Sequence, residues 1–433
     1  MKVRVRAEWD TLKTVVVHRP GIEMFFGLLE PFASLYERAF SRYGARREHA
    51  NLEEVLRQQF DVKVLRLKDQ ILSAADNHPQ IRRRLVDLAR DSLVYTGDPQ
   101  KKKLAWREFE KSIPLLDVGH FFNILLLHPR INLQGEEGTR MVHVNITERE
   151  PLPNLYFMRD QQVVTDKGMY LTRMAKPQRE RETAITRFLW EIMKVPILHE
   201  IRTPGIFEGG DFIPLKDFAL IGIGDRSNQE GVGQLLSSGT DFDEFGVVHQ
   251  PTHPLILGEK YDPMVTMHLD TYINFASPSV VVGSELLMKR ATLEIYYREG
   301  KGRYKKERST TDLHSYMKQK GFDIIDLTTL EQMAYAPNFL CIRDGTILSV
   351  ETDRVVRRML ANLSAKADLD PTRYKALLAQ VTKEYQKLLF DGQFFPHKKE
   401  IYRHGIDAYP VILENLTGGY GAAHCMTCVL QRK

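Results

Sequence analysis

The chain is poor in three things that would have narrowed its class at once. It has three cysteines in 433 residues, too sparse and too odd a set for the disulfide framework of a small secreted domain, and that usage fits a reducing compartment. It has no run of about 18 apolar residues, so no membrane-spanning helix is expected. It has no marked excess of either charge: 61 basic against 56 acidic residues leave +5, without the concentrated basic face that nucleic acid demands. Met1-Lys2-Val3-Arg4-Val5-Arg6 also lacks the apolar core of a secretory leader. The expectation is a cytoplasmic protein with neither a membrane nor a nucleic acid as partner. A homo-oligomer is compatible with all of this.

What the chain does have is material for a large core, 43% hydrophobic over its full length, enough for two or three domains. Leu12 to His18 reads as a buried strand stopped by Arg19-Pro20-Gly21, a strong turn signal. Between about Pro31 and Pro114 the texture becomes helical. Ala45 to Leu56 and Ile81 to Leu93 carry apolar residues at helical spacing, separated by a short strand, Val62 to Leu67. The clusters Arg82-Arg83-Arg84 and Lys101-Lys102-Lys103 read as solvated helix faces. Beyond them strands (168–172, 219–223 and 279–283) alternate with helices (183–193, 354–364 and 368–389), the last with Pro371 at its first turn. Such alternation predicts a mixed α/β architecture of several small units rather than one long sheet.

Chemistry concentrates in four stretches. Near the C-terminus, Thr417-Gly418-Gly419-Tyr420-Gly421-Ala422-Ala423-His424-Cys425 runs small residues into a thiol, and such residues let a backbone bend sharply beside a bound molecule. A free cysteine is more often a small buried apolar group than a nucleophile, so the stretch does not decide alone. In Met267-His268-Leu269-Asp270 an extended backbone would put His268 and Asp270 on one face, about 6–7 Å apart. In Phe207-Glu208-Gly209-Gly210-Asp211 the paired glycines permit positive φ and leave room for a ligand. In Asn154 to Asp160 the ends would lie about 20 Å apart if extended, so both can touch one small molecule only if the chain turns between them. Pro151 and Pro153 supply that chemistry. Cys425-Met426-Thr427-Cys428 is also a CxxC, yet Cys341 stands alone, leaving zinc without a second ligand pair.

Taken together and in order, Pro153 to Asp160, Phe207 to Asp211, Met267 to Thr271 and His424 to Cys428 resemble the arginine deiminase family of guanidino-group-modifying enzymes. The likeness covers essentially the whole chain, including Leu12 to Gly21 and the helical stretch. It implies a five-bladed α/β propeller of ββαβ-like units, residues 1–33 and 114–433, with a mostly helical insertion at 34–113. It implies hydrolysis of L-arginine to L-citrulline and ammonia, with neither metal nor organic cofactor. Carried over residue by residue, Cys425 is the nucleophile and His268 the general acid and base, with Glu208 its partner. Asp160 and Asp270 hold the guanidinium, Asn154, Arg179 and Arg226 receive the carboxylate, and Phe157 lines the aliphatic stem.

Elementary chemistry supports these roles. A guanidinium is a fixed cation with five donors, met best by carboxylates. Its central carbon needs a strong nucleophile near neutral pH, which a thiolate is. Of the two histidines, His424 adjoins Cys425, and neighbours on an extended chain face opposite ways, which favours His268 as the base. One departure from the family pattern concerns the far end of the substrate. Tyr420 stands where the family commonly carries arginine, and Ala422 and Ala423 where it carries glycine. Tyrosine supplies no cationic fork for a carboxylate. Agmatine, a modified arginine, an amidinotransferase reaction or a non-catalytic arginine-binding relative therefore stay in view, although binding alone needs no thiol.

Overall fold

The computed structural model describes residues 1, 3–134, 143–258 and 260–433. Leu12–Val17 is a strand in which Val15, Val16 and Val17 are wholly buried, a β-branched run covered on both faces. It pairs antiparallel with the final strand, Cys428–Arg432, and parallel with Lys63–Arg66. The helix Arg42–Gln58 makes the crossover between the parallel strands, and the Ser41 hydroxyl caps it by accepting from Gly44 N–H.

The same scheme recurs four times: an antiparallel pair, a crossover, then a parallel third strand. Gln162–Val164, Met169–Leu171 and Ile197–Glu200 follow it around the helix Glu182–Ile192. Phe212–Leu215, Phe218–Ile223 and Glu244–His249 follow it around the helix Gln229–Ser237. Ile273–Ser277, Val280–Gly283 and Asp323–Asp326 repeat it, and so do Leu340–Arg343, Thr346–Val350 and Asp407–Val411. The last crossover contains two long helices, Thr352–Leu369 and Pro371–Asp391. Asp370 caps the second from the position before Pro371, and Gly392 ends it in a left-handed conformation, φ 62°. The hairpin Thr292–Gly300 and Arg303–Asp312 extends one of these sheets to five strands.

The mixed α/β character and the small sheets expected from the alternating texture are both present. Repetition is absent from the letters because it lies in the pairing scheme, which many apolar sequences satisfy. Within 34–113 the strand Lys63–Arg66 joins the first sheet, whereas the helices from Leu67–Asn77 onward lead to Val118–Leu127. A separate small sheet follows, formed by Val94–Gly97, Pro129–Gln134 and His143–Arg149. Among the described residues no helix is long and apolar enough to cross a membrane.

Candidate functional site

All four chemical stretches occupy one topological position. Each is a turn immediately before the first strand of an antiparallel pair: 154–160 before Gln162–Val164, 208–211 before Phe212–Leu215, 268–271 before Ile273–Ser277, and 419–427 before Cys428–Arg432. The fifth pair, beginning at Leu340, is preceded by Ala336-Pro337-Asn338. Buried strands anchor each turn, and the turns bring their side chains together.

Several local expectations change in detail. Leu269–Thr271 is a 3-10 turn rather than extended chain, so His268 and Asp270 do not share a strand face. His268 turns to Glu208, whereas Asp270 turns to His424 and Cys425. Gly209 and Gly210 have no positive φ. Gly210 is needed for space, since a Cβ there would sit 2.7 Å from His268 Nδ1. In the C-terminal loop the left-handed residue is Tyr420, φ 72°, not one of the glycines. Gly421 gives up a side chain because a Cβ would lie 2.7 Å from Phe157 and 3.0 Å from the Cys425 Cβ. The chain does turn between Asn154 and Asp160, with Phe157 N–H donating to Asn154 C=O at 2.9 Å.

A narrow pocket of about 10 Å³ is lined by Asn154, Phe157, Asp160, Arg179, Arg226, Tyr420 and Cys425, with Leu35, Met267 and Gly419. All four residues expected to bind substrate line it. Behind it lie three fully buried groups: His268, Glu208 and Asp270. His268 Nε2 is 2.9 Å from Glu208 Oε2, and its Nδ1 is 3.8 Å from Asp160 Oδ1. Burial alone would discharge this imidazole, but Asp160 and the hydrogen bond to Glu208 overcome it and raise its pKa to about 9. Glu208 pays a desolvation cost that Arg226 and His268 more than offset, which holds its carboxyl well below the usual range.

The thiol of Cys425 is pushed well above its ordinary pKa by burial and by the carboxylates of Asp270 and Asp160. Its Sγ lies 3.5 Å from Asp270 Oδ2, as an S–H donor would. Asp270 is itself held ionised against burial by His424, whose Nδ1 is 2.8 Å from the same Oδ2. His424 thus faces away from the pocket, toward Asp270 and the Glu8 carboxylate 3.5 Å beyond. Residues 423–426 form a turn, so the extended-chain reason for setting His424 aside does not hold.

Two acceptors stand out. Asp160 Oδ1 and Asp270 Oδ1 are buried with no hydrogen-bond partner among the described residues, a costly state for ionised oxygens. Asp160 Oδ2 is already taken: Arg179 Nη1 donates to it at 2.7 Å, while the rest of that guanidinium is bound to Glu182. Arg226 is held more loosely, with Nε 3.2 Å from Asp225 and Nη1 3.7 Å from Glu208. Asn154 gives its amide to Ser34 C=O at 2.7 Å. Ligand atoms of Asp160, Glu208 and His268 lie within 4.8 Å of one another and could hold a metal ion. However, the guanidiniums of Arg179 and Arg226, each under 4 Å from Glu208, crowd that position with positive charge.

Asn338 was missed by the sequence reading. Its Nδ2 donates to Cys425 Sγ at 3.1 Å and to Asp270 C=O at 3.0 Å. Its Oδ1 accepts from Ala422 N–H at 2.8 Å and Cys425 N–H at 3.2 Å. The available signal was positional: Asn338, like the other four turns, stands just before a buried strand.

The family model for arginine deiminase matches residues 33–432. The chain belongs to the arginine deiminase family. Among its relatives is the arginine deiminase of Halobacterium salinarum, 25% identical over all of this chain and 97% of that one. Arginine deiminase 1 of Staphylococcus epidermidis is 24% identical over 84% of this chain and 92% of its own. A solved structure with the same fold is an amidinotransferase of the saxitoxin biosynthetic pathway from Microseira wollei. It covers 97% of its own chain and all of this one, at 12% identity and a TM-score of 0.50.

Proposed function

We propose that this member of the arginine deiminase family hydrolyses the guanidinium of free L-arginine to L-citrulline and ammonia through a covalent intermediate on Cys425. The observation that carries the reading is the pair of buried, unpartnered carboxylate oxygens, Asp160 Oδ1 and Asp270 Oδ1, beside a buried thiol. A guanidinium satisfies both with N–H donors and adds a positive charge between the two carboxylates, whose other oxygens already face Arg179 and His424. The same cation favours the thiolate that those carboxylates otherwise suppress. Substrate thereby prepares its own nucleophile.

In the first half-reaction, once guanidinium binding has released the thiol proton to solvent, the thiolate adds to the guanidinium carbon, and His268, charged at neutral pH, protonates the nitrogen whose bond to that carbon breaks to give ammonia. In the second, His268 takes a proton from water, which attacks the same carbon and expels the thiolate with citrulline. Glu208 keeps the imidazole oriented throughout. Arg226 and Asn154 are assigned to the substrate carboxylate and Phe157 to its stem. Arg179 reaches the carboxylate only after leaving Asp160, so substrate binding includes an exchange of one guanidinium for another.

The architecture assigned with this function is a five-bladed propeller, its five units being the repeated antiparallel-pair-and-crossover sheets, closed by first and last strands. The expected division, 1–33 and 114–433 against 34–113, is kept with one adjustment. The crossover through Arg42–Gln58 to Lys63–Arg66 goes with the propeller, and the insertion starts after it.

Tyr420 favours a second substrate to be weighed, a guanidino compound without a free carboxylate. It lines the pocket, with the Lys366 ammonium 5.9 Å over its ring and no guanidinium in its place. Citrulline formed from arginine, measured beside ammonia released from agmatine, decides between them. Agmatine turning over as well as arginine would overturn the assignment of free arginine.

A further inference from the structure

A second concavity, of about 500 Å³, lies between the first sheet and the helix Arg42–Gln58, and none of the residues assigned to deimination lines it. Its wall includes Arg19, Arg42, Arg46, Arg66 and Lys68, with Glu23 and Asp69 as the acidic residues. Two of the arginines are fixed from behind. The wholly buried Glu53 accepts from Arg19 Nε at 2.9 Å and Arg66 Nε at 2.6 Å, with His49 Nδ1 at 3.1 Å and Arg57 Nη1 at 3.2 Å. One carboxylate therefore faces three guanidiniums and cannot balance them.

Because Glu53 takes Arg19 through Nε, both terminal nitrogens of Arg19 are left without an acceptor among the described residues. Arg66 Nη1 reaches only Asp69, at 3.4 Å. Arg42, Arg46 and Lys68 have no carboxylate within 4.0 Å among the described residues. Arg46 donates to Pro20 C=O, and Arg42 lies over the rings of Phe25 and Tyr43. His18, 1% exposed, also contributes to the wall, with Nε2 bound to Glu23 and Nδ1 unpartnered among the described residues.

We propose that this cleft binds a small, multiply charged oxyanion, a phosphoryl group foremost. A guanidinium offers paired N–H donors at the spacing of oxyanion oxygens. Arg19 presents its terminal pair, and Arg66 its Nη2, already immobilised by Glu53, so little ordering entropy is lost on binding. Arg46 and Lys68 add charge at the rim. A monocarboxylate would satisfy one fork and leave the other cations facing one another, whereas a dianion answers several.

The test is titration calorimetry of pyrophosphate into the full-length protein. Two variants are compared, Arg46→Gln combined with Lys68→Gln, and separately Arg19→Gln, with succinate as the dicarboxylate arm and thermal denaturation confirming that each variant folds. Pyrophosphate is expected to bind the unaltered protein, to weaken by about tenfold or more in each folded variant, and to outcompete succinate. Absence of binding at millimolar concentration overturns the site. Binding that persists unchanged in the double variant also overturns it, by locating the anion elsewhere. Succinate binding as tightly as pyrophosphate overturns the preference for phosphoryl.

Discussion

Asn338 grips Cys425 through both of its polar side-chain atoms, Nδ2 donating to Sγ at 3.1 Å and Oδ1 accepting the Cys425 amide at 3.2 Å. With the charge of Arg159, the Asn338 hydrogen bond opposes burial and two carboxylates in setting the thiol's pKa. Asn338→Ala should therefore slow turnover by about ten- to a hundredfold, the worth of a hydrogen bond to a developing charge. Asn338→Asp should be worse, since it puts a third carboxylate beside the sulfur. Rates of iodoacetamide alkylation across pH check the cause: a merely structural role for Asn338 would leave the thiol titration where it was.

Cys425→Ala should abolish citrulline formation, whereas Cys428→Ala should leave most of it. Cys428 begins the final strand and is buried in the core, its thiol pushed up to about 12 by burial. Intact mass under substrate should show an adduct of substrate minus ammonia on Cys425. Full activity in Cys425→Ala would end the covalent mechanism.

His268→Ala should let arginine bind but lower kcat by roughly two to four orders of magnitude, the range of general acid–base catalysis. The same residue predicts a pH effect on stability. Its pKa is raised from 6.5 to about 9 in the folded protein, so folding takes up a proton between those values. The stabilisation from the charged imidazole is complete below about 6.5 and disappears as pH rises through about 9. The melting temperature of the unaltered protein should fall across that window more steeply than that of His268→Gln. Parallel curves would show that His268 does not carry the charge.

How far these groups could be read from the letters depended on what each one needed. Cys425, His268, Glu208, Asp160 and Asp270 lie in stretches that singly read as ordinary turns or a buried thiol; the family resemblance carried by the four stretches in order singles them out, and the fold brings them together around one pocket. Asn338 lies in Tyr335-Ala336-Pro337-Asn338-Phe339, with no acid, histidine or thiol beside it, and its four side-chain hydrogen bonds run to residues 68 to 87 positions away. Only tertiary structure supplies such partners. The extended reading at His268 failed for a related reason. Period-2 geometry applies inside strands, and the residues of this site sit in the turns that precede them. The strand Leu12–Val17 was legible because a valine run buried on both faces leaves few alternatives, whereas its partner Cys428–Arg432 was not. The recurrence of one pairing scheme was not, because register and crossover leave no mark on residue type.

The two pocket arginines should separate cleanly. Arg226 holds Asp225 and Glu208 at 3.2 and 3.7 Å and is the readier to turn to a carboxylate. Arg226→Ala should raise KM for arginine strongly, a loss of about 2–5 kcal/mol for one partner of a buried charged pair, with little change in KM for agmatine. Equal effects on both substrates would place Arg226 in charge balance around Glu208 instead.

Arg179 has a different fate. Its guanidinium is 3% exposed as a residue and is bound to Asp160, Glu182 and Phe157 C=O at once. Burial raises the pKa of Glu182, with Arg179 the main opposing charge. Removing Arg179 leaves two buried carboxylates uncompensated, so Arg179→Ala should cost about 3–5 kcal/mol of folding stability, and Arg179→Lys should recover only part, having no planar fork to span both acids. Combining Arg179→Ala with Glu182→Gln should recover part of that stability by removing one of the two orphaned charges. The double variant then isolates the arginine's part in catalysis. With Asp160 Oδ2 no longer occupied by the chain's own guanidinium, free guanidinium ion should inhibit more strongly than in the unaltered protein. Unchanged inhibition, measured as a Ki at equal pH and ionic strength, would show that Arg179 does not compete with substrate for Asp160.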